Sequence, residues 1–286
     1  MSVREYFENL RYALTGKRRD WQTEWNRATR DLVVPARLIV RDKHGHADAA
    51  FFERGMRSAL GSARHALVTD KREGAKSVQR VYVSAGAQSY IGFLAMAYSG
   101  GLALDEIQRY VPEIVDALAY CDAEYQKLNR ASEHNHVLDQ PPNYQFAMMA
   151  LAIFIGLRRS ADEVRQLLDC TGAGGRDLLF DRVVQRRDPA RTIGQTLRQR
   201  HYQYLIDAMD AAPAAQPALV RTFLDGWYKK VYLADGGFPT HGGDAYDGYW
   251  SYEAAAVVML WNIDDSAFRE HPYYPDALVS YYRTTG

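Results

Sequence analysis

The sequence predicts an all-α fold, with layered helical hairpins packed as a compact multi-helix globule and little or no sheet. Apolar residues recur at helical spacing along most of the chain. Only two short runs, 32–40 and 81–83, are rich in β-branched residues, and Pro35 divides the first. The composition is that of an ordinary soluble globule, 47% hydrophobic and 24% charged over 286 residues. At about 150 residues per domain, this length allows one or two domains with a sizeable core.

Taken in order, the periodicity predicts helices over 3–14, 20–34, 47–69 and 75–98. Ile107, Val111, Ile114, Val115 and Leu118 mark the next, with Asp105 and Glu106 in its first turn, where the helix dipole favours anions. A further helix is expected over 143–157. Ser160 and Glu163 then form a capping box for a helix from Ala161 to Leu168, which the chain leaves at Gly172. The remaining helices fall at 175–186, 194–210, 215–231, 248–262 and 275–283. The runs LALDEIQRYV (102–111) and RSADEVRQLL (159–168) echo one another, each after an apolar helix ending at Gly100 or Gly156. The Ala- and Pro-rich AAPAAQP at 211–217 separates an N-terminal helical region, 1–210, from a C-terminal one, 211–286, the two packed as one globule.

The formal net charge is zero, from 35 basic and 35 acidic residues, which disfavours a uniformly basic nucleic-acid binder. Its distribution is uneven: the balance is +7 over residues 1–80, −1 over 81–200 and −6 over 201–286. Either the ends present two surfaces of opposite sign, or the fold interleaves them. Arg4, Glu5, Glu8 and Arg11 interrupt the N-terminus, so no secretory signal is read there. The longest apolar stretch, Phe146 to Leu157, is well short of the ~20 residues that span a bilayer. A cytoplasmic protein without a membrane partner is expected. Cys121 and Cys170 form no CxxC pair, which excludes a disulfide scaffold and a cysteine-rich zinc site and leaves two buried thiols.

The search for chemistry assigns no catalytic residue, no metal ligand and no cofactor. His44-Gly45-His46-Ala47-Asp48 has an HxHxD spacing that suits a metal-dependent hydrolase, but it lies in a polar loop where Asp48 can cap the following helix. Glu133-His134-Asn135-His136 reads as a solvated loop. Thr171-Gly172-Ala173-Gly174-Gly175-Arg176 is glycine-rich but lacks the Lys-Ser/Thr of a P-loop and follows a helix, which a turn explains. GxSxG and HExxH are absent. Two alternatives to a binding protein stay open: a hydrolase built on His44, His46 and Asp48, and a nucleic-acid-binding module using the basic N-terminus, densest at Lys17-Arg18-Arg19.

The C-terminal segment is the most informative. Trp250, Ala254, Val257, Val258 and Trp261 form one helical stripe, and Glu253 falls on it. A carboxylate facing a core must find hydrogen bonds or a cation. Tyr249, Tyr273, Tyr274, Tyr281, Lys229 and Lys230 are the expected partners, and the group is read as a structural clamp. Asp264, Asp265 and Ser266 close that helix and cap the next segment, and Pro275 suits a first helical position.

The strings FLDGWYKKVY (223–232) and GYWSYEAAAVVMLWNIDDSAFREHPYYPDALVSYY (248–282) resemble the C-terminal domain of the PoNi immunity proteins, cognate to PoNe-type polymorphic nuclease toxins. The resemblance rests on Tyr249-Trp250-Ser251, Glu253-Ala254-Ala255, Asp264-Asp265-Ser266 and Tyr273-Tyr274-Pro275. It implies a non-enzymatic, cytoplasmic, all-helical protein that protects a bacterium from a DNase, commonly one delivered by type VI secretion. Such a protein binds the toxin and occludes its active site or DNA groove. The partner implied is the nuclease protein, with no direct nucleic-acid contact. Nuclease inhibitors are often acidic; this chain is neutral overall and acidic only at its end. The expected toxin contacts are therefore Asp235, Phe238, His241, Asp244, Tyr246, Asp247 and Glu270. Tyr249, Trp250, Glu253, Asp264, Asp265, Tyr274 and Pro275 are expected to act through folding.

Overall fold

The apolar-periodic stretches become α-helices in the computed structural model, which describes residues 21–70, 76–130, 132, 135–139, 143–234 and 239–285. In order these are α1 (Trp21–Ala28), α2 (Ala49–Asp70), α3 (Lys76–Gly100), α4 (Leu104–Gln108), α5 (Val111–Leu128), α6 (Asn143–Gly156), α7 (Ala161–Asp169), α8 (Leu178–Gln185), α9 (Gln203–Asp210), α10 (Gln216–Trp227), α11 (Tyr252–Trp261) and α12 (Asp276–Thr284). Among the described residues there is one isolated β-bridge, Asp177 to Thr196, and no strand. The all-helical expectation holds.

Helices apolar on every side belong inside. In α11 every residue from Tyr252 to Met259 is buried, and it packs on α6, whose residues from Ala147 onward are buried as well. Around this pair lie the α2–α3 hairpin, α5 and α7, and the α9–α10 hairpin. One contiguous core runs from Leu32 to Val279. Residues 211–215 make a tight turn between α9 and α10, with the Ala215 amide on the Ala212 carbonyl at 2.8 Å. The two glycines of the internal echo are points of close approach: a Cβ on Gly100 would lie 2.6 Å from that of Phe52, and one on Gly156 would enter the Leu278 side chain.

Several boundaries differ from expectation. The helix predicted over 20–34 stops at Ala28, where Thr29 turns its hydroxyl back on the Trp25 carbonyl at 2.7 Å. The run 81–83 lies inside α3, where packing overrides β propensity. Pro112, in the first turn of α5, separates it from the short α4. Residues 248–251 are irregular, with Gly248 at positive φ, so α11 begins at Tyr252. The segment predicted over 194–210 turns helical only at Arg200, as one 3₁₀ turn leading into α9. The Ser160–Glu163 capping box forms as expected. The predicted helix 3–14 and the Lys17-Arg18-Arg19 run lie outside the described residues.

Ion pairs, partly exposed at Arg64 and buried at Asp181 and Asp265, join elements that hydrophobic contact alone would leave free to slide. Arg64 on α2 grips Glu113 on α5 through two bonds of 2.7 and 2.6 Å and Asp31 through two more of 2.6 and 2.8 Å. Asp181, wholly buried, accepts from Arg191 at 2.9 Å and from the amides of Gly175 and Gly194 at 3.1 and 2.9 Å. The glycine-rich turn thus donates to an anion supplied by the chain itself. Asp265, expected as a cap, is instead buried. Its Oδ1 accepts from Arg269 at 2.8 Å and Arg283 at 2.7 Å, and its Oδ2 from Tyr274 at 3.1 Å. The neighbouring Asp264 does the capping, on the Ser266 amide and hydroxyl.

Asp265→Ala should therefore destabilise the protein by about 3 kcal/mol, because it strands two guanidiniums and a buried tyrosine hydroxyl. The exposed Asp264→Ala change should leave the urea midpoint nearly unmoved. Equal midpoints for the two variants would contradict this assignment.

Candidate functional site

The chain leaves α10 through a single π-turn, Tyr228–Tyr232, and returns to α11 through the loop that ends at Ser251. π-turns recur at functional positions. This one places Lys229 and Lys230 in solvent and the rings of Tyr228 and Tyr232 in a stack 5.6 Å apart. Tyr228 also stacks on Tyr273 at 5.5 Å, and Tyr249 meets Tyr228, Tyr232 and Tyr246 edge-on at 5.2 to 5.3 Å. The result is an aromatic bed beneath the loop.

The loop is fastened to that bed at three points. The Tyr249 hydroxyl accepts from the amides of Thr240 at 2.9 Å and His241 at 3.3 Å, and lies 2.8 Å from His241 Nδ1. The Tyr246 hydroxyl donates to Asp42 Oδ1 at 2.6 Å. Ser99 donates to the Asp247 carbonyl and accepts from Trp250 Nε1 at 2.8 Å. Gly248 makes the last contact possible: its φ is +96°, and a Cβ there would collide with both Ser99 Oγ and Trp250 Nε1.

Of the expected toxin contacts, the structure leaves His241, Asp244 and Glu270 exposed. Tyr246 is buried and committed to Asp42, so it supports the loop from below instead of presenting a ring to a partner. Asp247 is part-exposed, and desolvation pushes its pKa up to about 7. Asp235 and Phe238 lie outside the described residues. The family-motif residues Tyr249, Trp250, Glu253, Asp265, Tyr274 and Pro275 are buried, and Asp264 is exposed.

Glu253 has hydrogen bonds but no cation. It accepts from Tyr202 and Trp227 on Oε1 and from Ser251 on Oε2, each at 3.2 Å. Burial raises its pKa against the pull of these donors. None of the partners expected from the local sequence is used; Tyr202 and Trp227 arrive from α9 and α10, where spacing gave no signal. Asp42 was likewise missed. Its carboxylate holds the amides of His44 and His46 at 3.1 and 3.0 Å and thereby shapes the HGH turn.

The histidines do not converge on a common point. The rings of His44 and His46 stack 5.6 Å apart and 5° from parallel, and His46 stacks on His241 at 4.6 Å. Asp48 accepts from the Phe51 amide at 2.8 Å at the start of α2. Among the described residues no group of three or more His, Cys, Asp or Glu is placed to hold a metal. Both cysteines are buried, and burial with the nearby Asp122 and Asp169 pushes the Cys170 thiol up, the opposite of what a nucleophile needs. No described helix is long and apolar enough to cross a membrane.

The fold and this site together define an all-helical scaffold on which the described part of a polar loop, 239–251, is fastened at several points. Residues 175–278, which contain the loop, its aromatic bed, Glu253 and Asp265, match the family model described as PoNe immunity proteins (PoNi), C-terminal. Over those residues the chain is similar to the C-terminal region of that family. No curated protein matches it. Among solved structures, the crystal structure of protein PA2201 from Pseudomonas aeruginosa shares the fold at 17% identity. Its TM-score is 0.67, over 92% of this chain and 95% of that one.

The raised Asp247 pKa fixes the sign of a pH effect. An aspartate near 3.9 when unfolded and about 7 when folded binds an extra proton in the native state. Its contribution is full below about pH 4 and is lost as pH rises through 7. Asp247→Asn should therefore raise the melting temperature relative to wild type more at pH 8 than at pH 5. An equal difference at both pH values would contradict the burial of this carboxyl.

Proposed function

We propose that the protein is an immunity protein that neutralises a cognate PoNe-type nuclease toxin by binding it in the cytoplasm, where it covers the active site or the DNA groove. The observation that carries this reading is the match over residues 175–278, the segment that builds and presents the loop. The loop supplies what a docking surface needs: His241 and Asp244 exposed, a backbone pinned at Thr240, Tyr246 and Asp247, and little ordering entropy left to lose on binding. Glu270 adds a second exposed carboxylate in the matched region.

The acidic contribution is narrower than the −6 of the last 86 residues suggests. Asp210 pairs with Arg182, Asp225 with Arg221, Asp265 with Arg269 and Arg283, and Asp276 with Lys43, while Glu253 is buried and Asp247 is part-exposed with a raised pKa. Asp207, Asp244, Asp264 and Glu270 stay exposed without a cation among the described residues, and of these Asp244, on the loop, and Glu270 are the ones that steer a basic DNA-binding groove by opposite charge.

The test is binding to the purified nuclease encoded beside this gene. Wild type should form a stable complex and block DNA cleavage. Asp244→Lys should slow association severalfold at low salt, with a smaller effect at high salt and no change in melting temperature. Absence of any complex with wild type would overturn the immunity reading. Unchanged association kinetics for Asp244→Lys would remove the loop from the interface.

A further inference from the structure

Among the described residues only two large apolar side chains are exposed, Val33 at 63% and Ile39 at 81%. Both lie on one segment, Leu32 to Arg41, which is irregular by hydrogen bonding but strand-like in its burial. Leu32 is buried and Val34, Leu38 and Val40 pack against the core, while Val33, Pro35, Ala36, Arg37 and Ile39 face solvent. The alternation of a half-buried strand holds over 32–35 and again over 37–40, on either side of a bend at Ala36 and Arg37. The segment is fixed at both ends. The Leu32 amide bonds to the Thr29 carbonyl at 3.0 Å, and the amides of Arg41 and Asp42 to the Ser99 carbonyl at 2.8 and 3.3 Å. Between these anchors the amides of Val33, Val34, Ala36, Arg37, Leu38, Ile39 and Val40 have no hydrogen-bond acceptor among the described residues.

A backbone fixed at both ends, with free amide donors on either side of one bend, is a template for adding a short strand. Its charge selects what adds. No acidic residue lies between Asp31 and Asp42, and Asp31 is occupied by Arg64. Arg30 and Arg37 are exposed and have no carboxylate partner among the described residues. The segment also runs directly into the candidate site, since Asp42 holds Tyr246 and His46 stacks on His241. Resting on the immunity reading above, we infer that Leu32 to Arg41 is a second toxin contact. It pairs main chain to main chain with an extended segment of the nuclease that brings carboxylates to Arg37 and covers Val33 and Ile39. A nuclease supplies such carboxylates where it gathers acidic side chains around catalytic metal ions. This contact places a basic, apolar edge beside the acidic loop, so a single face of the protein meets both signs of charge.

The inference is tested with the full chain and the same purified nuclease, using Ile39→Asp and Arg37→Glu. Each should weaken binding at least tenfold with an unchanged melting temperature. Amide exchange at 33–40 should be fast in the free protein and slow in the complex. If wild type binds while both variants bind equally well and 33–40 stays unprotected, this contact is overturned and the immunity reading stands. If wild type does not bind, the immunity reading falls first and this one with it. If sedimentation instead shows a wild-type dimer that Ile39→Asp dissociates, and the complex leaves 33–40 unprotected, the edge belongs to a second copy of the chain and the toxin contact is overturned.

Discussion

The structure depends most on a single ammonium group. Lys43 donates to the carbonyls of Arg269, His271 and Tyr274 at 3.1, 3.3 and 3.0 Å and pairs with Asp276 at 2.6 Å. The stretch from Asn262 to Pro275 forms turns, so its carbonyls are not satisfied by a helix ladder and must find donors elsewhere. Lys43 supplies them from the other end of the chain. The same crossing segment carries Asp42, which holds Tyr246, and Arg41, whose guanidinium caps the end of α3 at the Tyr98 and Leu102 carbonyls. Within three consecutive residues the N-terminal half fixes the end of α3, the loop and the entrance to α12.

This crossing joins the two charged ends. A basic beginning and an acidic end look in linear sequence like two poles, but Lys43 meets Asp276 across the fold, and Arg64 is spent on Asp31 and Glu113. Part of the cationic charge of the C-terminal region is spent in the same way, since Arg269 and Arg283 both serve Asp265, which is 2% exposed, while Lys229 and Lys230 stay in solvent. Linear charge asymmetry therefore overstates the surface field. The exposed charges beside the loop and the Leu32–Arg41 segment act locally, over about one Debye length, ~8 Å at physiological salt.

The parts of this organisation that were legible in sequence are those set by neighbours within a helical turn. The Ser160–Glu163 box, the cap at Asp48 and the burial of Glu253 all follow from spacings of three or four residues. The all-helical class follows from periodicity summed over many such turns. Partners across the fold were not legible. Tyr202 lies 51 positions from Glu253, and Tyr246 lies 204 from Asp42. No residue type or interval announces either pairing, because the geometry that joins them is the packing of α9, α10 and α11. The HGH string misleads for the same reason: two imidazoles at i and i+2 suit a ligand pair or an aromatic stack, and Tyr249 and His241, distant in sequence, decide for the stack.

Four carboxylates, three buried and Asp247 part-exposed, differ in what compensates them. Asp265 has two guanidiniums, and Asp181 has one guanidinium and two backbone amides. Both lie away from the loop, and opposite charge offsets their desolvation. Glu253 and Asp247, in and beneath the return of the loop, have no cation, and burial raises the pKa of each. Glu253 is compensated by the dipoles of Tyr202, Trp227 and Ser251, which donate to it, and not by a counter-charge. The described part of the loop rests on one carboxylate, Asp42, together with directional hydrogen bonds and edge-on rings, and these fix its geometry from beneath while His241 and Asp244 stay on the exposed side.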